Sequence, residues 1–293
     1  MVDYILGNYL VECGKLSKAQ LYGILQDQDS ARAKLGLIAI AEDMMTHEQA
    51  EEVNRLQAVM DKRFGDIAVE KGYLTTEQVS ELLKLQGNTW LSFMQALVDA
   101  GLVSLEEMEW LLYDFKRAYG YNDAELEALK SDEVDRIVPL LLPKEALKYQ
   151  EIICVVVRTM IRLIDRHVYV GQAAIVEELP LEDMVTQSLV GEKSIMDCFA
   201  ERDGALLSTC TIFGQEEFPR LNMDALDAAG ELLNCANGLY ASARSREGCF
   251  LELMPPEFCM NVGQANSGRS LKDVCRIPIF IGNKGLYFVV GEL

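Results

Sequence analysis

From Asn222 to Arg246 the apolar residues recur with the period of one α-helix. Leu226, Ala229, Leu233, Ala236 and Tyr240 make an inward stripe. Asn222 is placed to cap the N-terminus, and Gly248 lies just past the end. On roughly the opposite side Asp227, Glu231, Asn234 and Gly238 fall at i, i+4, i+7 and i+11 and line one narrow strip. A solvated helix face is normally rich in charge. Here only Asp227 and Glu231 are ionic between Ala225 and Ser242, among small residues such as Ala228, Gly230, Asn237 and Gly238. Asn and Gly each weaken a helix interior by about 0.5–1 kcal/mol relative to Ala. A helix that tolerates them has a face shaped for something to come close.

The remaining pattern of the second half alternates between helix and strand. Tyr149–Arg166 has helical amphipathic spacing. His167–Glu178, Val185–Glu192, Ser194–Ala200 and Ala205–Phe213 read as strands before the long helix, and Phe250–Met254, Val274–Ile281 and Leu286–Glu292 after it. Gly282-Asn283-Lys284-Gly285 is a hairpin turn between the last two. Two long helices and a mostly antiparallel sheet predict an α+β domain over residues 148–293.

The first 118 residues predict an all-α domain of four repeats. Leu6-Gly7, Leu35-Gly36, Phe64-Gly65 and Phe93-Met94 are spaced by 29 residues, as are Gly14, Asp43, Gly72 and Gly101. Ser17, Thr46, Thr75 and Ser104 keep that interval, as do Gln28, Gln57 and Gln86. In each copy a short helix ends at a residue suited to the left-handed position. The Ser or Thr then forms a capping box with Gln20, Gln49, Gln78 or Glu107. Leu16/Leu21, Met45/Ala50, Leu74/Val79 and Val103/Met108 are spaced as hydrophobic staples. One such unit cannot bury its own apolar face, so the copies must stack. Residues 119–147 predict a helical linker, capped at Asn122 and punctuated by Pro139 and Pro143.

The net charge is −19, with neither half basic, so a nucleic-acid partner is not expected. The eight cysteines form no C-x-x-C pair and sit mostly in apolar runs, as small buried hydrophobes of a reducing compartment do. With two histidines, a His-based metal site is not expected. No signal peptide is visible, and the most apolar run, Ile152–Ile164, is broken by Arg158 and Arg162. These features predict a cytoplasmic protein with no membrane insertion.

The ordered set Asp227-x3-Glu231-x2-Asn234-x3-Gly238 resembles the signature helix of the CheC/CheX/FliY family, phosphatases of phosphorylated CheY-like response regulators. The family pattern closes with a proline, for which Pro255 and Pro256 both qualify. Some members carry a second Glu-x2-Asn on the first helix, but here Glu151 is followed by Cys154, which leaves one site per chain, as in CheX. The resemblance implies hydrolysis of an aspartyl phosphate by a chain with no cofactor of its own, the Mg²⁺ being supplied by the receiver domain. Asn234 would orient the attacking water and Glu231 would pair with the receiver's lysine. Asp227 would extend the docking contact, and Gly238 with Gly230 would allow close backbone approach. It also implies a homodimer formed through the sheet, for which an exposed final strand Leu286–Glu292 would be available. The alternatives are a non-enzymatic adaptor that binds a receiver without speeding its dephosphorylation, a cyclic di-GMP-responsive signalling protein whose back domain merely transmits, and a purely structural dimerisation module.

The repeats resemble the N-terminal domain of type II secretion ATPases, including the MshEN branch that binds cyclic di-GMP. Its tandem motifs begin Arg-Leu-Gly and end in Gln. Arg63-Phe64-Gly65 with Gln86 is the nearest match, and Lys34-Leu35-Gly36 with Gln57 departs further, with Asp43 for the Gly and Asn54 at an apolar position. Ile5 and Ser92 hold the Arg slot in the outer copies. A nucleotide would engage Arg63, Gly65, Lys34 and Gly36. The competing reading is a helical scaffold or docking module for another protein.

Overall fold

A computed structural model describes residues 1–27, 32–177, 183–260 and 271–293 of the chain. Gln28 and Glu178, which belong to the sequence patterns above, lie outside the described residues. The chain forms two compact units, Val2–Glu133 and Val134–Leu293 together with Met1. Residues 119–147 are divided between them.

The first unit is all helix: α1 Val2–Glu12, α2 Lys18–Asp27, α3 Leu35–Ala41, α4 His47–Met60, α5 Phe64–Glu70, α6 Thr76–Lys84, α7 Thr89–Asp99, α8 Leu105–Tyr119 and α9 Asp123–Lys130. The expected capping boxes close at Thr46/Gln49, Thr75/Gln78 and Ser104/Glu107. At Ser17/Gln20 both reciprocal bonds form as well. Gly14, Gly72 and Gly101 hold φ near +70°, and Asp43 takes the same left-handed place at φ 53°. The repeated glycines sit where helices cross. A Cβ on Gly36 would stand 3.0 Å from the Phe64 ring, and one on Gly65 would stand 2.8 Å from Val79 Cγ1 and 3.4 Å from Leu35 Cδ2.

The second unit is α+β. Its elements are α10 Val134–Ile137, α11 Gln150–Leu163, β1 Tyr169–Val170, β2 Ala174–Val176, β3 Met184–Gly191, β4 Ile195–Glu201, α12 Ala205–Gly214, α13 Met223–Arg246, β5 Leu251–Leu253, β6 Glu257–Cys259, β7 Lys272–Ile281 and β8 Lys284–Glu292. One sheet contains the eight strands of the described residues in the order β1-β7-β8-β4-β3-β5, with β2 also on β7 and β6 also on β3. Every pairing is antiparallel. α13 packs over β3, β5 and β6 and against the helices α11 and α12, and α12 itself rests on β4 and β8.

Four sequence expectations change. Ala205–Phe213 is helix α12, not a strand: Gly204, at φ 93°, turns the chain out of the sheet. Ser208 and Thr209 then satisfy their hydroxyls on the carbonyls of Gly204 and Ala205, one turn back. His167–Glu178 divides into two short strands around Gly171, and β6 is an additional strand. The final strand is not an edge: β8 lies between β7 and β4 and bonds to both, so its backbone groups are unavailable to a second copy. Of the cysteines, Cys154, Cys198, Cys210 and Cys275 are buried as expected, while Cys13 and Cys235 are exposed.

Candidate functional site

α13 starts where the sequence places it. Asn222 Oδ1 accepts from the Ala225 amide at 2.8 Å, and Gly248, at φ 87°, ends the run. Leu226, Ala229, Leu233 and Ala236 are buried and Tyr240 is half-buried. The helix is covered on more sides than one stripe requires. Gly230 is buried too: a Cβ there would stand 2.9 Å from Phe258 Cε1 and 3.2 Å from Pro256 Cβ. Gly230 therefore admits β6 and its leading proline rather than a visiting protein, which corrects the role expected of it. This contact singles out Pro256 as the proline that meets the helix. Asn237, expected on the outer face, is fully buried.

The strip itself stays open. Asp227 and Glu231 are exposed, and neither has an ion pair among the described residues. Gly238 is half-buried, with nothing within 4 Å of where a Cβ would lie. Asn234 is half-buried and held: its Oδ1 accepts from Gln187 Nε2 at 2.9 Å. Glu231 and Asn234, three residues apart, lie on one side of the helix. Met254 is 42% exposed, and its carbonyl accepts from the same Gln187 Nε2.

Beneath Asn234 lies a polar cluster that the sequence reading missed. Gln187 of β3 stands directly across from Asp197 of β4, and both face α13. Gln187 Nε2 also donates to Met254 O at 2.8 Å. Asn237 Nδ2 donates to Gln187 Oε1 and to Asp197 Oδ1, each at 2.9 Å. Burial pushes the Asp197 carboxyl up to about 8, against the opposing pull of the Asn237 and backbone hydrogen bonds. Its Oδ2 and the Asn237 Oδ1 have no hydrogen-bond partner among the described residues. The signal was a polar residue at the inward phase of each strand: Val185, Gln187, Leu189 in one and Ile195, Asp197, Phe199 in the other.

α11 offers nothing equivalent. Glu151 pairs with Arg244 at 3.2 Å and Cys154 is buried. A separate cavity of about 440 Å³ lies at the far end of α13, among Lys148, Tyr149, Lys193, Tyr240, Arg244 and Phe250. No cluster of three or more His, Cys, Asp or Glu able to hold a metal ion occurs among the described residues. Nor is any described helix long and apolar enough to cross a membrane.

In the first unit the two candidate nucleotide motifs are brought together through the Gly36–Phe64 and Gly65–Leu35 contacts. Lys34 is exposed but engaged: its Nζ pairs with Asp99 at 2.8 Å and its amide donates to Gln95. Arg63 is exposed. Gln86 donates to Ala33 O, just ahead of Lys34, and Gln57 is exposed.

No family model matches the sequence, and no curated protein matches it. Among solved structures, the chemotaxis protein CheX of Desulfovibrio desulfuricans is similar over 52% of this chain and 100% of its own, at 14% identity and a TM-score of 0.44. The CheX–CheY–BeF3–Mg complex of Borrelia burgdorferi covers 49% of this chain and 96% of its own, at 11% identity and a TM-score of 0.42. FliM, in a FliM–SpeE complex from H. pylori, covers 51% of this chain and 89% of its own, at 11% identity and a TM-score of 0.37. At these values the likeness gives no residue of this chain a role.

Proposed function

We propose that the second unit is a phosphatase of phosphorylated CheY-like receiver domains. The observation behind this reading is the pairing on α13 of an exposed, unpaired Glu231 with an anchored Asn234, on an otherwise sparsely charged strip. An aspartyl phosphate hydrolyses when water attacks phosphorus in line with the departing carboxylate. The receiver itself holds the Mg²⁺ and a lysine against the phosphoryl group. What a visiting helix adds is orientation and electrostatic complementarity, which need no nucleophile. An amide suits this role, because its NH2 donates to a phosphoryl oxygen and its carbonyl accepts from water, at any physiological pH. Glu231, one turn away, is placed to meet the receiver's lysine and so fix the docking angle. Asp227 extends that contact, and the open space over Gly238 leaves room for the partner's backbone.

The first unit fits a regulatory or docking module. Its repeat spacing is explained by helix crossings at Gly36 and Gly65, which leaves nucleotide recognition to Arg63 and Lys34. The deciding experiment is dephosphorylation of a panel of phosphorylated receiver domains by the full chain and by Asn234→Ala. Accelerated decay that the substitution abolishes supports the phosphatase reading. Binding to a receiver that decays at its own intrinsic rate supports an adaptor instead.

A further inference from the structure

The amide of Asn234 has two sides, and only one orientation places its NH2 outward. A solvent-facing asparagine exchanges freely between them. Here one backbone atom decides. Met254 O can only accept a hydrogen bond, so the Gln187 atom 2.8 Å from it is the amide nitrogen. Met254 is itself fixed to β3, its amide donating to Ser188 O at 2.9 Å. The second proton of Gln187 Nε2 points at Asn234, and the Asn234 atom 2.9 Å away must therefore be the acceptor, Oδ1. The remaining atom of Gln187, Oε1, needs a donor and finds Asn237 Nδ2 at 2.9 Å. Asn237 spends its other proton on Asp197 Oδ1. Reversing Gln187 would set two carbonyl oxygens against each other at Met254 and two NH2 groups against each other at Asn237. Both Gln187 and Asn237 are buried, so water offers no substitute partner.

Resting on the phosphatase reading, we infer that Gln187 is a positioning residue: it fastens the carbonyl of Asn234 inward and thereby presents the Asn234 NH2 to the phosphoryl group. The Asn234 Nδ2 has no protein partner among the described residues, while its Oδ1 keeps one lone pair for the attacking water. Gln187 touches neither water nor phosphate. Its effect passes through one hydrogen bond, so it belongs to the turnover step and not to docking.

Two variants and one spectroscopic measurement test this. Gln187→Met keeps length and removes both donors; Gln187→Glu offers Asn234 an acceptor and draws its NH2 inward. With a phosphorylated receiver as substrate, kcat is expected to fall about 10- to 100-fold in either variant. KM and the affinity for a beryllofluoride-loaded receiver should change less than about twofold, since docking is left intact. A fall in melting temperature with kcat per folded molecule unchanged overturns the inference, as does a loss confined to KM. The wild-type protein alone gives an independent readout by NMR of its side-chain amides. The Gln187 NH2 protons should exchange slowly with solvent and those of Asn234 rapidly; the reverse order overturns the inference even where neither variant folds. A wild type without phosphatase activity defeats the proposed function, while the exchange pattern still decides how Asn234 is held.

Discussion

Asn237 of α13 and Asp197 of β4 meet at 2.9 Å, both fully buried, with one oxygen of each lacking a partner among the described residues. A carboxyl in that place is stable only when neutral. Its folded value, about 8, lies above its ordinary 3.8. Between those two pH values the folded chain keeps a proton that the unfolded chain releases. Asp197 therefore adds no cost below pH 3.8, a cost that grows through the window, and its full cost above about pH 8. Asp197→Asn stays neutral throughout. The stability of wild type minus that of the variant should fall steadily from pH 5 to pH 8, measured by denaturant unfolding at each pH. A flat difference would show that Asp197 ionises normally.

Gly230 gives a packing prediction. Alanine there gains up to about 1 kcal/mol of helix propensity, yet overfilling a packed contact costs about 1–3 kcal/mol. Neither the Phe258 ring nor the Pro256 ring can rotate away as a long side chain can. Gly230→Ala is expected to lower stability by about 1 kcal/mol and to disturb Asn234 from below. Chemical denaturation of the variant checks the first part, and receiver dephosphorylation the second.

Gly238 gives the opposite result. A Cβ there meets nothing, so Gly238→Ala should stabilise the protein by up to about 1 kcal/mol. If the open strip receives a partner's backbone, the same methyl should weaken receiver binding several-fold. Thermal unfolding and binding of the stabilised variant separate the two effects; unchanged affinity removes Gly238 from the docking face.

On the strip itself, Asn234→Ala is expected to remove most dephosphorylation activity and Asp227→Ala little, because an exposed rim charge contributes about 0–1 kcal/mol whereas orientation contributes several. Equal rates for wild type and Asn234→Ala would reject the assignment.

In the first unit, Gly65→Ala places a methyl against Val79, whose branched side chain has little rotameric freedom, and should cost about 1–2 kcal/mol after the helix gain. Calorimetric titration of the full chain with cyclic di-GMP addresses the other reading. Heat that disappears in Arg63→Ala and Lys34→Ala assigns a nucleotide to this pair; no heat with wild type removes it.

Much of this architecture is legible in the sequence wherever one periodic signal acts alone. α13 has capped ends and an unbroken apolar stripe, and the repeats restate the same cap in each copy. The reading fails where two signals compete. Ala205–Gly214 is uncharged and mostly apolar, with β-branched Thr209, Thr211 and Ile212, and a run of that length has no period to separate helix from strand. Asn237 and Gly230 look like surface residues because a single stripe was counted, whereas α13 is buried against helices and sheet together. Gln187 and Asp197 become a pair only once β3 and β4 are in register, and that register is a long-range property.

The place of β8 sets an order of events during synthesis. The sheet is closed through its middle by the hairpin Lys272–Glu292, so β4 has no neighbour on that side until this stretch has left the ribosome. The repeat unit ends at Glu133 and can assemble long before. Nascent chains stalled ahead of Lys272 should thus display a protease-resistant front and a labile back, and the platform under Asn234 should appear only with the last hairpin.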